Sequence, residues 1–159
     1  MRQENMKQEH YKQKAWVVFT NQTDLPWLRV LRPGFRHCFV ILHDGRRWLS
    51  VDPLAGRMEI QSLDVAGEFD LPRWLEEQGH IAIRAKIHEH RKLMPLMPLT
   101  CVEVVKRVLG IKARSVITPW QLYRHIRAQR YQVKAQRQGR MAALTQRFTQ
   151  FKGVLSWEA

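Results

Sequence analysis

The sequence predicts an α+β domain: a small antiparallel sheet packed on a cysteine-bearing helix, with a basic helical extension after it. Three observations predict this. Between residues 15 and 88, short β-branched and aromatic runs alternate with Pro- and Gly-marked turns, the pattern of strands in a sheet. At Thr100 an apolar helical pattern opens, and it closes at Gly110. After residue 110 the composition changes, because residues 111–159 hold ten Lys or Arg and one acid, Glu158.

The 159 residues are 45% hydrophobic, which suits one core. Two cysteines are too few for a disulfide framework. No apolar run approaches the roughly 20 residues that cross a bilayer. The polar opening MRQENMKQEHYKQK lacks the apolar segment of a secretory signal, so a reducing, cytoplasmic setting is the default expectation. The expected organisation is a flexible tail over 1–14, a domain over 15–127 and a basic helical extension over 128–159.

Element by element, AWVVFT (15–20) reads as a buried strand and TDLPWLRVL (23–31) as a short helix. RPGF (32–35) reads as a turn. HCFVILHDGRRWLSVDP (37–53) is a hairpin, since Asp44-Gly45 between two β-rich runs suits a two-residue type I′ turn. GRMEIQSL (56–63) adds a strand. DLPRWLEEQG (70–79) is a short helix with Asp70 as cap and Gly79 as stop. HIAIRAKIH (80–88) alternates as a strand, and EHRKLMPLMPL (89–99) is a loop. The next helix runs from Thr100, in a Thr-x-x-Glu capping box with Glu103, to Gly110. Thr118 caps a last helix with Pro119 at its first position, and Gly139 is an expected break in it.

The chemistry centres on Cys101. The first turn of a helix has unpaired backbone N–H groups carrying partial positive charge. That field lowers a cysteine's pKa, and the N–H groups of Cys101 and Val102 suit a developing oxyanion. A nucleophilic thiolate needs a base and a group to orient it. In a hairpin with a two-residue loop, His43 faces Arg46 and His37 faces Asp52, close enough for the carboxylate to fix the imidazole tautomer. Cys101, His37 and Asp52 are therefore the candidate nucleophile, base and orienting residue. The plain alternative is that Cys101 joins Val102, Val104, Val105 and Val108 in the core and that His37–Asp52 is a satisfied polar pair.

By strand parity Cys38 is a core residue, and His43, beside the turn, is exposed. His80, His88 and His90 lack a neighbouring ligand cluster, so no metal and no cofactor are expected. Trp48, Leu96 and Met97 are candidates to line a substrate cleft or to sit in the core. Arg124, Arg127, Arg130, Lys134, Arg137 and Arg140 recur every three or four residues and form a basic stripe with Trp120, Tyr123 and Tyr131 among them. The stripe suits nucleic acid, an acidic protein or anionic lipid, or serves only as solvated surface. Met141, Leu144, Phe148, Phe151 and Leu155 make an apolar set that suits a subunit interface.

A histidine opening a strand (FRHCFVIL), a polar residue on the next strand (WLSVDP) and a cysteine opening a downstream helix (LTCVEVVKRVLG) together resemble the circularly permuted branch of the NlpC/P60 papain-like superfamily. The resemblance covers residues 35–110 and rests on order and spacing. It implies a permuted papain-like fold. It also implies Cys101 as nucleophile, His37 as base and Asp52 as orienting residue, in an enzyme that cleaves or exchanges amide, ester or thioester bonds. The expected function is a cysteine-dependent acyl hydrolase or transferase of amidase or peptidase type, acting on an acyl or peptide-like substrate. The chain departs from the family in its basic tail and in lacking an evident side-chain donor for the second half of the oxyanion hole. Two other functions compete: a catalytically silent papain-like module that binds through its basic helix, and a component of a larger assembly such as a phage particle.

Overall fold

The structure, a computed structural model, describes residues 13–23, 25–54, 57–88 and 98–154, with side chains described up to residue 142. Most of the expected tail and of the 89–99 loop, with Leu96 and Met97, lies outside the described residues. Among the described residues the fold is α+β, with a five-stranded antiparallel sheet and three α-helices. In chain order the elements are β1 (Lys14–Thr20), a short 3-10 helix (Pro26–Val30), β2 (His37–His43), β3 (Trp48–Leu54), β4 (Arg57–Leu63), α1 (Leu71–Glu77), β5 (Ile81–Ala85), α2 (Cys101–Leu109) and α3 (Pro119–Val154). The sheet order is β4-β3-β2-β1-β5. The chain divides into two compact units, with the boundary between Tyr123 and Arg124.

Alternation along the strands supplies two apolar faces. Val18, Ile41 and Trp48 pack with Leu71 and Leu75 of α1 on one face. On the opposite face Val17, Phe19, Cys38 and Val40 are fully buried. Helix α2 lies against β2 and β3 and buries Val102, Val104, Val105 and Leu109.

The expected helix at 23–31 is a five-residue 3-10 turn instead. Leu25 precedes Pro26 and is extended, as the proline ring requires, and Pro33 stops the chain soon after. The hairpin loop is also longer than two residues. The Asp44 carboxylate accepts from the N–H groups of Arg46 (2.8 Å) and Arg47 (2.7 Å), which takes both out of the ladder. As a result His43 faces Trp48, not Arg46, and Val40 faces Val51. His43 is half-buried rather than exposed, with its ring 4.6 Å from that of Trp48 and Nε2 3.0 Å from the Gly67 carbonyl.

Helix α3 runs through Gly139 without the expected break. A glycine costs an exposed helix only about 1 kcal/mol against alanine, too little to interrupt it. At its start the Thr118 hydroxyl accepts from Gln121 N–H, and Gln121 Oε1 accepts from the N–H groups of Thr118 and Ile117. Trp120 and Tyr123 were expected in the basic stripe. They belong instead to an aromatic cluster with Phe19 and Phe35. Of the apolar tail set, Met141 is exposed, and the side chains of Leu144, Phe148, Phe151 and Leu155 lie outside the described residues.

Candidate active site

The site forms where one end of the sheet meets the start of α2. The Thr100 hydroxyl accepts from Glu103 N–H at 3.2 Å and fixes the first turn, so Cys101 is the first helical residue. The other half of the expected capping box is absent. Thr100 N–H donates to the Pro98 carbonyl, and the Glu103 carboxylate turns inward to Lys106 (2.8 Å) and Arg107 (3.1 Å). Lys106 Nζ also donates to the carbonyls of Ala113 and Val116. This buried cluster ties the body of α2 to the turn that follows it. The helix then ends at Gly110 in the left-handed region.

His37 opens β2, opposite Thr20 at the end of β1. Its Nε2 lies 2.7 Å from Asp52 Oδ1. The pairing arises differently from the sequence expectation. The observed register is shifted by two residues, so Asp52 reaches His37 diagonally rather than from directly across. A shift of two preserves side-chain parity, so both residues stay on one face.

Cys101 is half-buried and interacts with two groups of β2, the His37 imidazole and Cys38. Its thiol is lowered from 9.0 to about 5. The largest cause is the hydrogen bond from the Cys38 thiol. Burial opposes it, while the hydrogen bond and charge of His37 and the Cys38 backbone N–H add to the lowering. His37 is raised from 6.5 to about 9. Burial pulls it down, but the hydrogen bonds to Asp52 and Cys101 and the charges of both outweigh burial. Cys38 is pushed up by complete burial and by its bond to Cys101, so it remains a protonated donor. Near neutral pH the site therefore holds a Cys101 thiolate beside a His37 imidazolium.

Thr100 N–H, Glu103 N–H and Val104 N–H are bonded to Pro98 O, Thr100 Oγ1 and Thr100 O. Among the described residues, the first-turn donors left without an acceptor in the fold are those of Cys101 and Val102.

Cys101, His37 and Asp52 all line an open groove of about 730 Å³. Its walls are largely apolar and include Leu25, Leu28, Leu54, Leu99 and Ile117. Gln22 and His80 line it as well. Trp48, an expected cleft residue, does not. It is 4% exposed, packs in the α1 core and donates from Nε1 to the Phe69 carbonyl at 3.1 Å. The reason is its place at the turn end of the hairpin, six residues of strand and roughly 20 Å from the His37 end.

Sequence reasoning missed the part played by Cys38. That residue is in the core, as expected, but its position beside His37 also brings its thiol and N–H to the Cys101 sulfur. It missed His80 because the pairing of β5 with β1 cannot be read from local patterns.

Among the described residues, no group of three or more His, Cys, Asp or Glu is placed to hold a metal, and no helix is long and apolar enough to cross a membrane. Comparison with protein-family models, curated proteins and solved structures returns no match.

Proposed function

We propose that the chain is a cysteine-dependent acyl hydrolase or transferase, of amidase or peptidase type, on a circularly permuted papain-like domain of the NlpC/P60 kind. One observation carries this reading: the hydrogen-bonded His37–Asp52 pair and the half-buried, acidified Cys101 at a helix start all line one groove.

In the mechanism the Cys101 thiolate attacks a substrate carbonyl carbon. A C–S bond forms and the carbonyl π pair moves to oxygen, which the N–H groups of Cys101 and Val102 receive. The tetrahedral intermediate collapses as His37 donates its proton to the leaving amine or alcohol, which leaves an acyl-Cys101 thioester. Neutral His37 then takes a proton from water or an acceptor amine, whose attack releases the acyl group and restores the thiolate. Asp52 holds the imidazole in position and stabilises its charged form. The apolar walls suit a substrate with an apolar flank beside the carbonyl.

The test is incubation with aryl esters, acyl thioesters and N-acyl peptide amides, followed by intact-mass measurement. An acyl adduct on Cys101, absent in Cys101→Ala, is the expected result. Absence of adduct and turnover across all three classes would favour the alternative, a catalytically silent papain-like module or assembly component. That alternative draws support from the exposed run of cations Arg124, Arg127, Arg130, Lys134, Arg137 and Arg140 on α3. In it, the working surface would be the basic helix, with nucleic acid or an acidic protein as partner.

A further inference from the structure

Helix α3 contains no Asp or Glu and eight Lys or Arg. Arg124, Arg127, Arg130, Lys134, Arg137 and Arg140 are all exposed. Cations three and four residues apart on one helix repel each other and disfavour the isolated helix, so the spacing has no stabilising role of its own.

Among the residues whose side chains are described, the basic stretch 124–142 also lacks what two common partners would need. From residue 130 to 142 every side chain is exposed. The large apolar members Tyr131, Val133 and Met141 are spread over an arc of about 160° with no two of them one turn apart, so they form no continuous stripe. A membrane-surface helix needs an apolar face to bury, and a helix that docks in a protein groove needs apolar anchors one turn apart. Residues 124–142 supply neither. A polyanion held in water remains.

Geometry narrows the polyanion further. Five of the six cations, Arg127 to Arg140, fall within a sector of about 140°. Arg124 to Arg140 spans about 24 Å of helix axis, or roughly seven base pairs. A helix about 10–12 Å across fits the major groove of B-form DNA, about 12 Å wide, while the major groove of A-form RNA is too narrow for it. A cationic sector this broad reaches phosphates on both groove walls. Gln136 and Gln138, both exposed, flank that sector within about 40° of its edges and can present amides to phosphates or base edges.

We infer that residues 124–140 of α3 bind double-stranded DNA, chiefly through its phosphates, by lying in the major groove. This deepens the nucleic-acid option of the alternative function and does not depend on catalysis at Cys101.

The experiment measures fluorescence anisotropy of a labelled DNA duplex of about two helical turns with the full chain carrying Cys101→Ala, over a salt series. Binding with a log–log salt slope of about −4 to −5 is expected for about five neutralised phosphates at 0.9 each. Arg130→Gln/Lys134→Gln/Arg137→Gln should reduce that slope by about 3. Lys86→Gln/Lys112→Gln/Arg114→Gln removes the same charge from exposed positions elsewhere and should leave the slope nearly unchanged. Circular dichroism of both variants checks that α3 persists. No binding at low salt would overturn the inference. So would equal losses in the two triple variants, or binding to polyglutamate or phosphatidylserine vesicles as tight as to the duplex. Because the chain used cannot acylate, none of these outcomes bears on the hydrolase reading.

Discussion

Asp52→Asn probes the His37 partner while nearly preserving its shape. The wild-type pair is 2.7 Å apart, with side chains 15% and 29% exposed, so water screens it only in part. His37 stands at about 9 against 6.5 unperturbed, and after burial, which lowers it, the Asp52 hydrogen bond is its leading influence. Removing the carboxylate charge should lower His37 by about 1–2 units, or about 1.4–2.7 kcal/mol before a discount for screening. The sign follows from linkage. A histidine raised on folding contributes stability that is fully present below its unfolded value and lost as pH rises through the folded one. The variant should therefore be less stable than wild type near pH 6.5 and equal to it above about pH 9. NMR titration of the imidazole, with urea unfolding at both ends of that window, measures both effects. An unmoved titration, or a stability loss as large at high pH as at low, would show that the Asp52 charge does not hold His37 protonated. Turnover should fall by about 10²–10⁴, since an asparagine amide favours the wrong tautomer.

Cys38→Ala removes the largest contribution to the acidity of Cys101, so the thiolate titration should move up from about 5 toward 9.0, followed by ultraviolet thiolate absorbance. An unshifted titration would show that Cys38 is packing only. Lys106→Met leaves the buried Glu103 with Arg107 alone and should cost about 3–5 kcal/mol in urea unfolding. A neutral effect would mean that the cluster is replaceable by apolar packing. Gly139→Ala should raise helix content and stability by about 0.5–1 kcal/mol, because a Cβ there meets nothing within 4 Å. Loss of helicity would show that α3 needs glycine at that position.

Much of this site was legible in the sequence because its signals are local. Thr100 as cap, Cys101 on the first turn and Gly110 as stop follow from helix-end chemistry, and all three are found in place. The nearness of His37 and Asp52 was reached through a register that is not the one observed. It survived because an error of two residues keeps both side chains on one face, where an error of one would have separated them. What was not legible depends on contacts distant in sequence. Trp48 looked suited to a cleft until the packing of α1 showed what covers it. Cys38 was placed correctly in the core, but its bond to Cys101 depends on how α2 lies over β2. The turn at Asp44 lengthened because its side chain took two backbone donors, a choice that the Asp-Gly signal does not encode.

The central claim is that Cys101 and His37 form one ionised pair. Iodoacetamide alkylation of Cys101 as a function of pH, read by mass spectrometry in wild type and His37→Ala, tests it most directly. A wild-type midpoint near 5 and a marked upward shift toward 9.0 in the variant are expected. A wild-type midpoint already near 9.0, the same in both proteins, would contradict it.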